Sequence, residues 1–252
     1  MNRTLIIGKN SFLVSKFKEL NNSNLISHKY LSKVNYHNYK KIILLSMPQN
    51  YKKKLSKLSF EKNLFKNCKH KRIIYFSTSL VYPNILQNKE DAIKPQNIYA
   101  QNKSRIENEI KNNFKDYLII RAPVVFTKKK FSKGSFFDIL TRNFKLKKIK
   151  FNISENSIRD LITLNDLYLY YKKMDKINLS GVYNIGSNKG FLIKDIILNF
   201  FGKKLNNKKI KYEFSKKVSN LTLNVNKLEH KIGKFSDKIY RNAIRELNKW
   251  KN

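Results

Sequence analysis

Short runs of apolar residues recur along the first three quarters of the chain, and each has the length of one β-strand. Runs without polar alternation are typical of strands that are buried on both faces of a sheet. The runs predicted as strands are Thr4 to Ile7, Leu25 to Ile26, Ile42 to Leu45, Ile73 to Phe76, Leu118 to Ile120 and Val182 to Ile185.

Stretches with apolar residues at helical spacing separate most of these runs. The predicted helices are Ser11 to Leu20, Leu55 to Cys68, Ile98 to Ile110, Asp166 to Met174 with Asp166 as N-cap, and about Asp237 to Lys251. The alternation predicts an α/β fold with a Rossmann-type, doubly wound parallel sheet. Only about a dozen residues separate the second and third runs, too few for a helical crossover plus another strand, so we expect the sheet to be trimmed there.

Length and composition are compatible with one α/β domain carrying a small appendage, or with two small domains that share a cleft. Of the 252 residues, 41% are hydrophobic, which argues against disorder. The single cysteine, Cys68, allows no intramolecular disulfide and no cysteine cluster for a metal. The apolar run Leu5 to Ile7 is too short for a membrane span or a signal sequence, so we expect a cytoplasmic protein.

The formal charge of +37 is the most unusual feature of the composition. Such an excess can indicate a nucleic acid or an anionic membrane as partner. Here the lysines are scattered along the whole chain, together with many Asn, Ile, Phe and Tyr residues. An AT-rich genome would favour this set of residues. We therefore expect a solvated basic surface with no specific nucleic acid partner.

A turn follows the first predicted strand and leads into the first predicted helix. Of the three glycines in the dinucleotide-binding pattern G-x-x-G-x-x-G only Gly8 is present, with Ser11 and Val14 at the other two places. The Ser11 hydroxyl could bond a phosphate oxygen. An ordinary strand-to-helix turn is an equally good interpretation of this stretch.

Tyr99 and Lys103 are four residues apart in a predicted helix and therefore lie on one face. An ammonium group there is expected to lower the pKa of the phenol, and such a phenol can act as a general acid or base. Thr78 follows a predicted strand, where α/β sheets bind ligands, and its hydroxyl can bond the same substrate oxygen. Taken alone, such a pair is commonplace in a chain rich in Tyr and Lys, and surface residues are the more frequent interpretation of it.

The order of these and later segments resembles the extended short-chain dehydrogenases, the epimerase, dehydratase and reductase family of nucleotide sugars. The segments that carry the resemblance are Ser77 to Tyr82, Glu90 to Tyr99, Ile120 to Pro123, Ser157 to Asp166 and Gly181 to Gly186. With the turn at Gly8, and with Asn224 to Leu228 and the helix ending in Trp250, which resemble the family's closing strand and helix, the resemblance covers nearly the whole chain. Two departures are the missing glycines and a length that is short for this family.

The resemblance implies a role for each matching residue. Tyr99 would be the acid/base, Lys103 would hold the nicotinamide ribose, and Thr78 would orient the substrate oxygen with Tyr82 also at the substrate. Arg159 would bind the substrate diphosphate, although a surface ion pair with Asp160 is the alternative. The implied cofactor contacts are Gly8, Asn10, Ser11, Phe12, Leu13, Lys29, Ser46, Tyr99 and Lys103. No metal is implied.

The cofactor implied is NADP or NAD, and the absence of an acid in Ser27 to Lys29 favours NADP. Residues 1–186 would form the dinucleotide-binding domain, with an excursion at about 127–156 into a small substrate lobe, and residues 187–252 would complete that lobe. The expected function is an NAD(P)-dependent reductase or epimerase of a nucleotide-linked sugar, in surface-glycan synthesis. A non-catalytic Rossmann-fold protein that binds RNA or another polyanion is the alternative. Monomer and homodimer both stay open.

Overall fold

The computed structural model describes residues 3–45, 48–127, 135–145, 148–202 and 211–249. The chain forms two compact units. The first consists of Met1–Pro83, Glu90–Arg121 and Tyr171–Tyr183, and the second of Asn84–Lys89, Ala122–Tyr170 and Asn184–Asn252.

Twelve strands and eight α-helices lie within the described residues. In chain order they are β1 (Thr4–Ile7), α1 (Val14–Phe17), β2 (Ser23–Ile26), β3 (Lys41–Leu44), α2 (Ser59–Lys66), β4 (Arg72–Thr78), α3 (Ile98–Asn113), β5 (Tyr117–Ala122), β6 (Val124–Phe126), α4 (Phe136–Lys145), β7 (Lys148–Phe151), β8 (Ile158–Arg159), β9 (Leu161–Thr163), α5 (Leu164–Lys176), β10 (Gly181–Asn184), β11 (Phe191–Leu192), α6 (Ile193–Phe201), β12 (Lys211–Phe214), α7 (Asn226–Ile232) and α8 (Ser236–Asn248).

The first unit is built around a six-stranded sheet with the strand order β10-β5-β4-β3-β1-β2. The pairs β1 with β2, β1 with β3 and β3 with β4 are parallel. All six predicted strands are members of this sheet, which confirms the Rossmann-type fold. Because the strand order reverses between β1 and β3, the carboxyl ends of these two strands form the switch point where such sheets bind ligands.

The connection between β2 and β3 lacks a crossover helix and a further strand, as the sequence predicted. Between β2 and β3 the chain forms only two short 3-10 turns, His28–Lys33 and Tyr36–Asn38. Each turn region contributes one buried side chain to an apolar cluster that also contains residues of the sheet. These side chains are Leu31 and Tyr39. The connection therefore replaces a helical crossover, and β2 is the edge strand of the described sheet.

Both faces of the sheet are covered, as a doubly wound fold requires. Successive residues of a strand point to opposite faces, so Tyr75 and Phe76 on β4 face different layers. Tyr75 belongs to the apolar cluster that includes residues of α2 and α3. Phe76 packs against Phe17 of α1 and Tyr171 of α5, with ring centroids 4.9 and 5.7 Å away. These aromatic pairs hold the single turn of α1 against the sheet.

The second unit contains three two-stranded pairs, β6 with β9, β8 with β11, and β7 with β12. Its core is rich in phenylalanine from α4, α6 and the neighbouring strands, and it also contains Ala243 and Leu247 of α8. The division of the chain differs from the domains expected from sequence, since residues 122–170 group with 184–252. Trp250 and Lys251, at the end of the last predicted helix, lie outside the described residues.

Candidate active site

Thr78 ends β4 at the carboxyl edge of the sheet. Its hydroxyl oxygen accepts a hydrogen bond from the Leu80 backbone N–H (3.3 Å) and so caps the 3-10 turn Ser79–Val81. The hydroxyl proton has no acceptor among the described residues, and the side chain is only half-buried. Thr78 is therefore held by its oxygen while its proton can be donated to a ligand.

Helix α3 begins immediately before Tyr99. The Asn97 side chain accepts a hydrogen bond from the Ala100 N–H (2.9 Å), which fixes the first turn as an N-cap. Lys103 lies one turn further on the same face, with its Nζ atom 5.9 Å from the centre of the Tyr99 ring. The structure thus brings Tyr99 and Lys103 together on one helical face, as their spacing predicts.

The Lys103 side chain is buried against β4 of the same unit. Its Nζ donates to the Phe76 carbonyl oxygen (2.7 Å) and lies 4.5 Å from the centre of the Tyr75 ring. Burial lowers the pKa of Lys103 to about 7, although the carboxylates of Glu107 and Glu61 act in the opposite direction. One of the three ammonium N–H groups is used by Phe76, which leaves donors for a ligand.

The pKa of Tyr99 does not follow the sequence-based expectation. The ring keeps part of its surface exposed, but burial of the hydroxyl raises its pKa to about 12. The lowering expected from Lys103 does not offset this effect of burial on the pKa of Tyr99. In this arrangement Tyr99 is a protonated phenol near neutral pH, and so a proton donor.

Two buried polar residues of α3 were missed in the sequence. Asn102 binds the segment before α2: its amide nitrogen donates to the carbonyls of Tyr51 and Lys54, both at 2.8 Å, and its oxygen accepts from the Ser56 N–H. Glu107 forms an ion pair with Arg121 of β5, and both side chains are almost fully buried. The signal for this pair was Arg121 itself, because an arginine within an apolar strand requires a buried partner.

Tyr82 is placed differently from the substrate role implied for it. The side chain is fully buried, and its hydroxyl accepts a hydrogen bond from Arg121 Nη1 (2.7 Å). Arg121 also donates to the Glu90 carbonyl oxygen. Tyr82 therefore anchors the strand β5 and the segment before α3, and its hydroxyl is not presented to solvent.

The turn after β1 keeps one feature of a dinucleotide-binding loop. Gly8 has φ +129°, in the range that favours glycine, and its N–H donates to the Ile26 carbonyl of β2 (2.9 Å). The Ser11 hydroxyl donates to the Leu45 carbonyl (3.1 Å), so in this structure it is bonded to the chain where a phosphate contact was expected. Ser11 thereby ties the turn to the end of β3.

The predicted helix from Ser11 to Leu20 is reduced to α1, which is one turn long. Asn10 is exposed, while Phe12 and Leu13 are half-buried in the turns that precede α1. A single turn has little of the dipole that a long helix provides, so α1 contributes little to the electrostatic binding of a phosphate group. Individual backbone N–H groups of the turn remain as the means of binding an anion.

Two further cofactor residues were expected near this edge. Lys29 is exposed in the 3-10 turn after β2. Ser46 follows β3 but lies outside the described residues, so its place relative to the turn is not part of the structure.

Arg159 belongs to the second unit. Its guanidinium donates to the Ser219 hydroxyl (2.9 Å), to the Ser219 carbonyl and to its own neighbour, the Ile158 carbonyl. Burial lowers its pKa, and no ion pair with Asp160 is present among the described residues. The surface ion pair considered from sequence is therefore wrong, and the guanidinium is oriented by backbone and hydroxyl oxygens.

Asp160 holds the loop that follows β10. Its Oδ1 accepts from both the N–H and the hydroxyl of Ser187, at 2.9 and 2.7 Å. Gly186 packs so closely that a Cβ atom would lie 2.3 Å from Asp160 Oδ2. Asp160 and Gly186 belong to two of the segments that carry the family resemblance. The structure brings these two segments together in one buried contact of the second unit.

Asp166 is not the N-cap that the sequence suggested. Helix α5 begins at Leu164, and the Thr163 hydroxyl accepts from the Asp166 N–H (3.0 Å) and donates to Asp166 Oδ2 (2.7 Å). Thr163 therefore caps the helix, and the Asp166 carboxylate in the first turn accepts the proton of the capping hydroxyl. Asp166 also accepts from the Asn242 side chain of α8.

Asp160 gives the protein an expected pH dependence of stability. Burial raises its pKa from 3.8 to about 6. Because the folded state binds this proton more tightly than the unfolded state, stability falls as the pH rises from about 4 to about 6, by about 3 kcal/mol from this one group. We expect denaturant unfolding of wild type and Asp160→Asn between pH 4 and 7 to show a smaller decline with pH in the variant. Parallel curves would contradict the assignment.

No group of three or more His, Cys, Asp or Glu side chains suited to a metal ion occurs within the described ranges. No helix in the described part of the chain combines the length and the hydropathy needed to cross a bilayer.

The parallel sheet, the hydroxyl at the end of β4 and the Tyr and Lys on α3 are features of the extended short-chain dehydrogenases. Residues 52–188 match the sequence model described as RmlD substrate binding domain, and the chain belongs to that family. No curated protein sequence is similar enough to count as a match.

Several solved structures have the same fold. A UDP-N-acetylglucosamine 4-epimerase from Methanobrevibacter ruminantium M1 is 15% identical, with a TM-score of 0.75 and 99% of this chain and 97% of that chain covered. A dTDP-4-dehydrorhamnose reductase from Bacillus anthracis, in complex with NADP, is 15% identical, with a TM-score of 0.71 and coverages of 96% and 99%. A dTDP-glucose 4,6-dehydratase from the same organism, in complex with NAD, is 14% identical, with a TM-score of 0.74 and coverages of 99% and 96%.

Proposed function

We propose that this chain is an NAD(P)-dependent enzyme that reduces or epimerises a nucleotide-linked sugar, with Tyr99, Lys103 and Thr78 as its catalytic residues. The observation that carries the proposal is the placement of Tyr99 and Lys103 on one face of α3 in the unit whose strand β4 ends in Thr78. The structural relatives named above are an epimerase, a reductase and a dehydratase of nucleotide sugars, which supports this class of substrate.

Two observations on the first unit fit a nicotinamide dinucleotide. Gly8, after β1 at the switch point, has a backbone conformation that a side chain would strain. A glycine at this place is what a phosphate-binding turn requires. At the end of β4 the Ser77 hydroxyl is buried and has no hydrogen-bond partner among the described residues, and Lys103 keeps donors beyond the one that Phe76 uses. The residues that would hold the dinucleotide are those of the turn from Gly8 to Leu13, together with Tyr99 and Lys103.

A bound nicotinamide supplies the hydride acceptor or donor. The side chains of the protein transfer the proton. With its pKa at about 12, the Tyr99 hydroxyl is protonated near neutral pH and can donate its proton to a ketone oxygen. The Thr78 hydroxyl can donate to the same oxygen, and Lys103 supports the phenolate that Tyr99 becomes.

The choice of cofactor and the place of the reaction are further parts of the proposal. NADP is favoured, because the turn after β2 carries Lys29 and no acid that would bind the ribose of NAD. Arg159, held by Ser219, is proposed for the substrate diphosphate, since guanidinium binds phosphate oxygens in pairs. We propose a cytoplasmic enzyme of surface-glycan synthesis. A cluster of glycosyltransferase genes beside its gene would support that role.

The reaction is expected to proceed without loss of water. A 4,6-dehydratase needs an additional acid and base beside the active-site Thr, but the residues after Thr78 are Ser79, which is buried, and Leu80. Neither can deliver or remove a proton near neutral pH. We expect mass spectrometry of nucleotide hexoses and 4-keto sugars, incubated with the enzyme and cofactor, to show a gain of two hydrogens or an unchanged mass. A product lighter by one water would overturn this prediction.

A further inference from the structure

A second lysine approaches the ring of Tyr99, and the sequence did not single it out. Lys52 ends the 3-10 turn Gln49–Lys52, which follows β3 in the first unit. Its Nζ atom lies 5.9 Å from the centre of the Tyr99 ring, the same distance as Nζ of Lys103. A cation within about 6 Å of the ring centre is attracted to the face of an aromatic ring. Tyr99 therefore lies beside two ammonium groups.

Asn102 holds the backbone around Lys52 against the helix that carries Tyr99. Its amide nitrogen donates to the carbonyl oxygens of Tyr51 and Lys54, one on each side of Lys52 in the sequence and both at 2.8 Å. Its side-chain oxygen accepts from the Ser56 N–H (2.9 Å). Because Asn102 is fully buried in α3, these three bonds fix the segment from which the Lys52 side chain extends.

Tyr51 gives the same segment a second anchor. Its side chain is buried, and its hydroxyl donates to Oε2 of Glu61 on α2 (2.6 Å). The next residue, Lys52, is exposed. The backbone of Lys52 is thus held by α2 and α3 together, and only its side chain has to be ordered for the ammonium to stay over the Tyr99 ring.

The two lysines beside Tyr99 differ in how well they keep their charge. Within the described residues, the titratable groups that face Tyr99 are Lys52 of the turn, Lys103 of α3 and Tyr75 of β4. Burial raises the pKa of Tyr75 well above its ordinary value, so that this residue brings no charge. Burial lowers the pKa of Lys103 to about 7, so a large fraction of it is neutral near neutral pH. Lys52 is exposed, and its ammonium keeps the hydration that stabilises the charged form.

We propose that Lys52 is a positioning residue whose ammonium, held over the Tyr99 ring by the turn that Asn102 anchors, stabilises the phenolate that Tyr99 becomes after giving up its proton. A phenolate spreads its negative charge over the ring, so a nearby cation stabilises it more than the neutral phenol. The inference rests on the proposed function and deepens it, because it assigns a second cation to the proton donor. Lys52 acts through Tyr99 and touches neither sugar nor cofactor in this role.

The sign of the effect follows from these charges. Without the charge of Lys52 the phenolate costs more, so the pKa of Tyr99 rises and the phenol becomes a weaker acid. Lys52 also lowers the pKa of Lys103, and its loss therefore makes Lys103 more easily charged, which acts in the opposite direction. This compensation is small in a titration well above pH 7, where Lys103 is mostly neutral.

The direct test is a pH titration of the phenol at position 99 by fluorine NMR. Tyr99 is replaced by difluorotyrosine, which ionises at lower pH than tyrosine, so that the titration takes place while exposed lysines are still charged. Four proteins with this label are compared, namely the otherwise wild-type chain, Lys52→Met, Lys52→Arg and the control Lys53→Met. Lys53 is the next exposed lysine, and successive side chains of a 3-10 turn point about 120° apart.

We expect the midpoint to rise by about 0.5–1 pH unit in Lys52→Met, as for one charge about 6 Å away near a protein surface. Lys52→Arg keeps the charge and should restore the wild-type midpoint, and Lys53→Met should leave it in place. An unchanged midpoint in Lys52→Met would overturn the inference. So would an equal rise in Lys52→Arg or in Lys53→Met, because the charge at this one position would then not be the cause. Exposed positions such as these tolerate substitution, so the variants are expected to fold.

This readout needs neither cofactor nor turnover, so it is separate from the proposed function. Where wild type turns over a nucleotide sugar, kcat should fall by about 2–5-fold in Lys52→Met and recover in Lys52→Arg, since a weaker acid donates its proton more slowly. A midpoint that rises while kcat stays unchanged would contradict Tyr99 as the proton donor, and the electrostatic link between Lys52 and Tyr99 would stand.

Discussion

Tyr99→Phe is expected to reduce turnover of a nucleotide sugar by about 10²–10⁴-fold, the range over which general acid catalysis acts. The substitution removes one hydroxyl, which bonds no described residue, and it leaves the ring, the helix start at Asn97 and Lys103 in place. Cofactor affinity and the melting temperature should therefore stay close to wild type. The measurement is kcat and kcat/KM beside a calorimetric Kd for the cofactor.

The matched control for Tyr99→Phe is Tyr30→Phe, because Tyr30 is 58% exposed in the turn after β2. It removes the same hydroxyl without touching α3, and it should retain full activity. Near-full activity of Tyr99→Phe with a sugar that wild type accepts would show that another group moves the proton.

Arg121→Met is expected to have the largest effect on stability. Arg121 and Glu107 are almost fully buried, and the guanidinium also bonds the Tyr82 hydroxyl and the Glu90 carbonyl. Removing one partner leaves a carboxylate charged and buried, which costs about 3–5 kcal/mol. At about 2–4 °C per kcal/mol for a chain of this size, the melting temperature should fall by about 6–20 °C.

Two further variants distinguish the stability lost through the unpaired charge from the stability lost through removal of the side chain. Arg121→Met combined with Glu107→Leu removes both charges, and it should recover a large part of the lost stability. Arg142→Met breaks the surface pair with Asp138, where Arg142 is 60% exposed, and should change stability by about 0–1 kcal/mol. A double variant no more stable than Arg121→Met alone would show that packing, and not the unpaired charge, dominates the loss.

The sheet could be predicted from sequence because its strands are buried on both faces and leave continuous apolar runs. The trimmed connection before β3 could also be predicted, since the number of residues between two strands limits what fits there. The pair Tyr99 and Lys103 could be placed on one face by helical spacing alone. The strand pairs of the second unit are only two to four residues long and were missed, because such segments leave no periodic signal.

The environment of the proposed catalytic residues could not be predicted from spacing. Spacing gives the face on which Lys103 lies, but its burial, its bond to the Phe76 carbonyl and its lowered pKa depend on what packs against that face. Tyr82 matched a motif by sequence, yet its hydroxyl is satisfied by Arg121, a contact between residues 39 positions apart.

Binding of a nicotinamide dinucleotide is the measurement that tests the proposed function most directly, because the turn after β1 keeps Gly8 and lacks both other glycines. Calorimetric titration with NAD, NADP and their reduced forms, with a thermal shift for each, needs no knowledge of the sugar. We expect at least one of the four, with NADP or its reduced form the tightest, to release or absorb heat and to raise the melting temperature. Neither heat nor thermal stabilisation with any of the four would contradict the assignment of this chain as an NAD(P)-dependent enzyme.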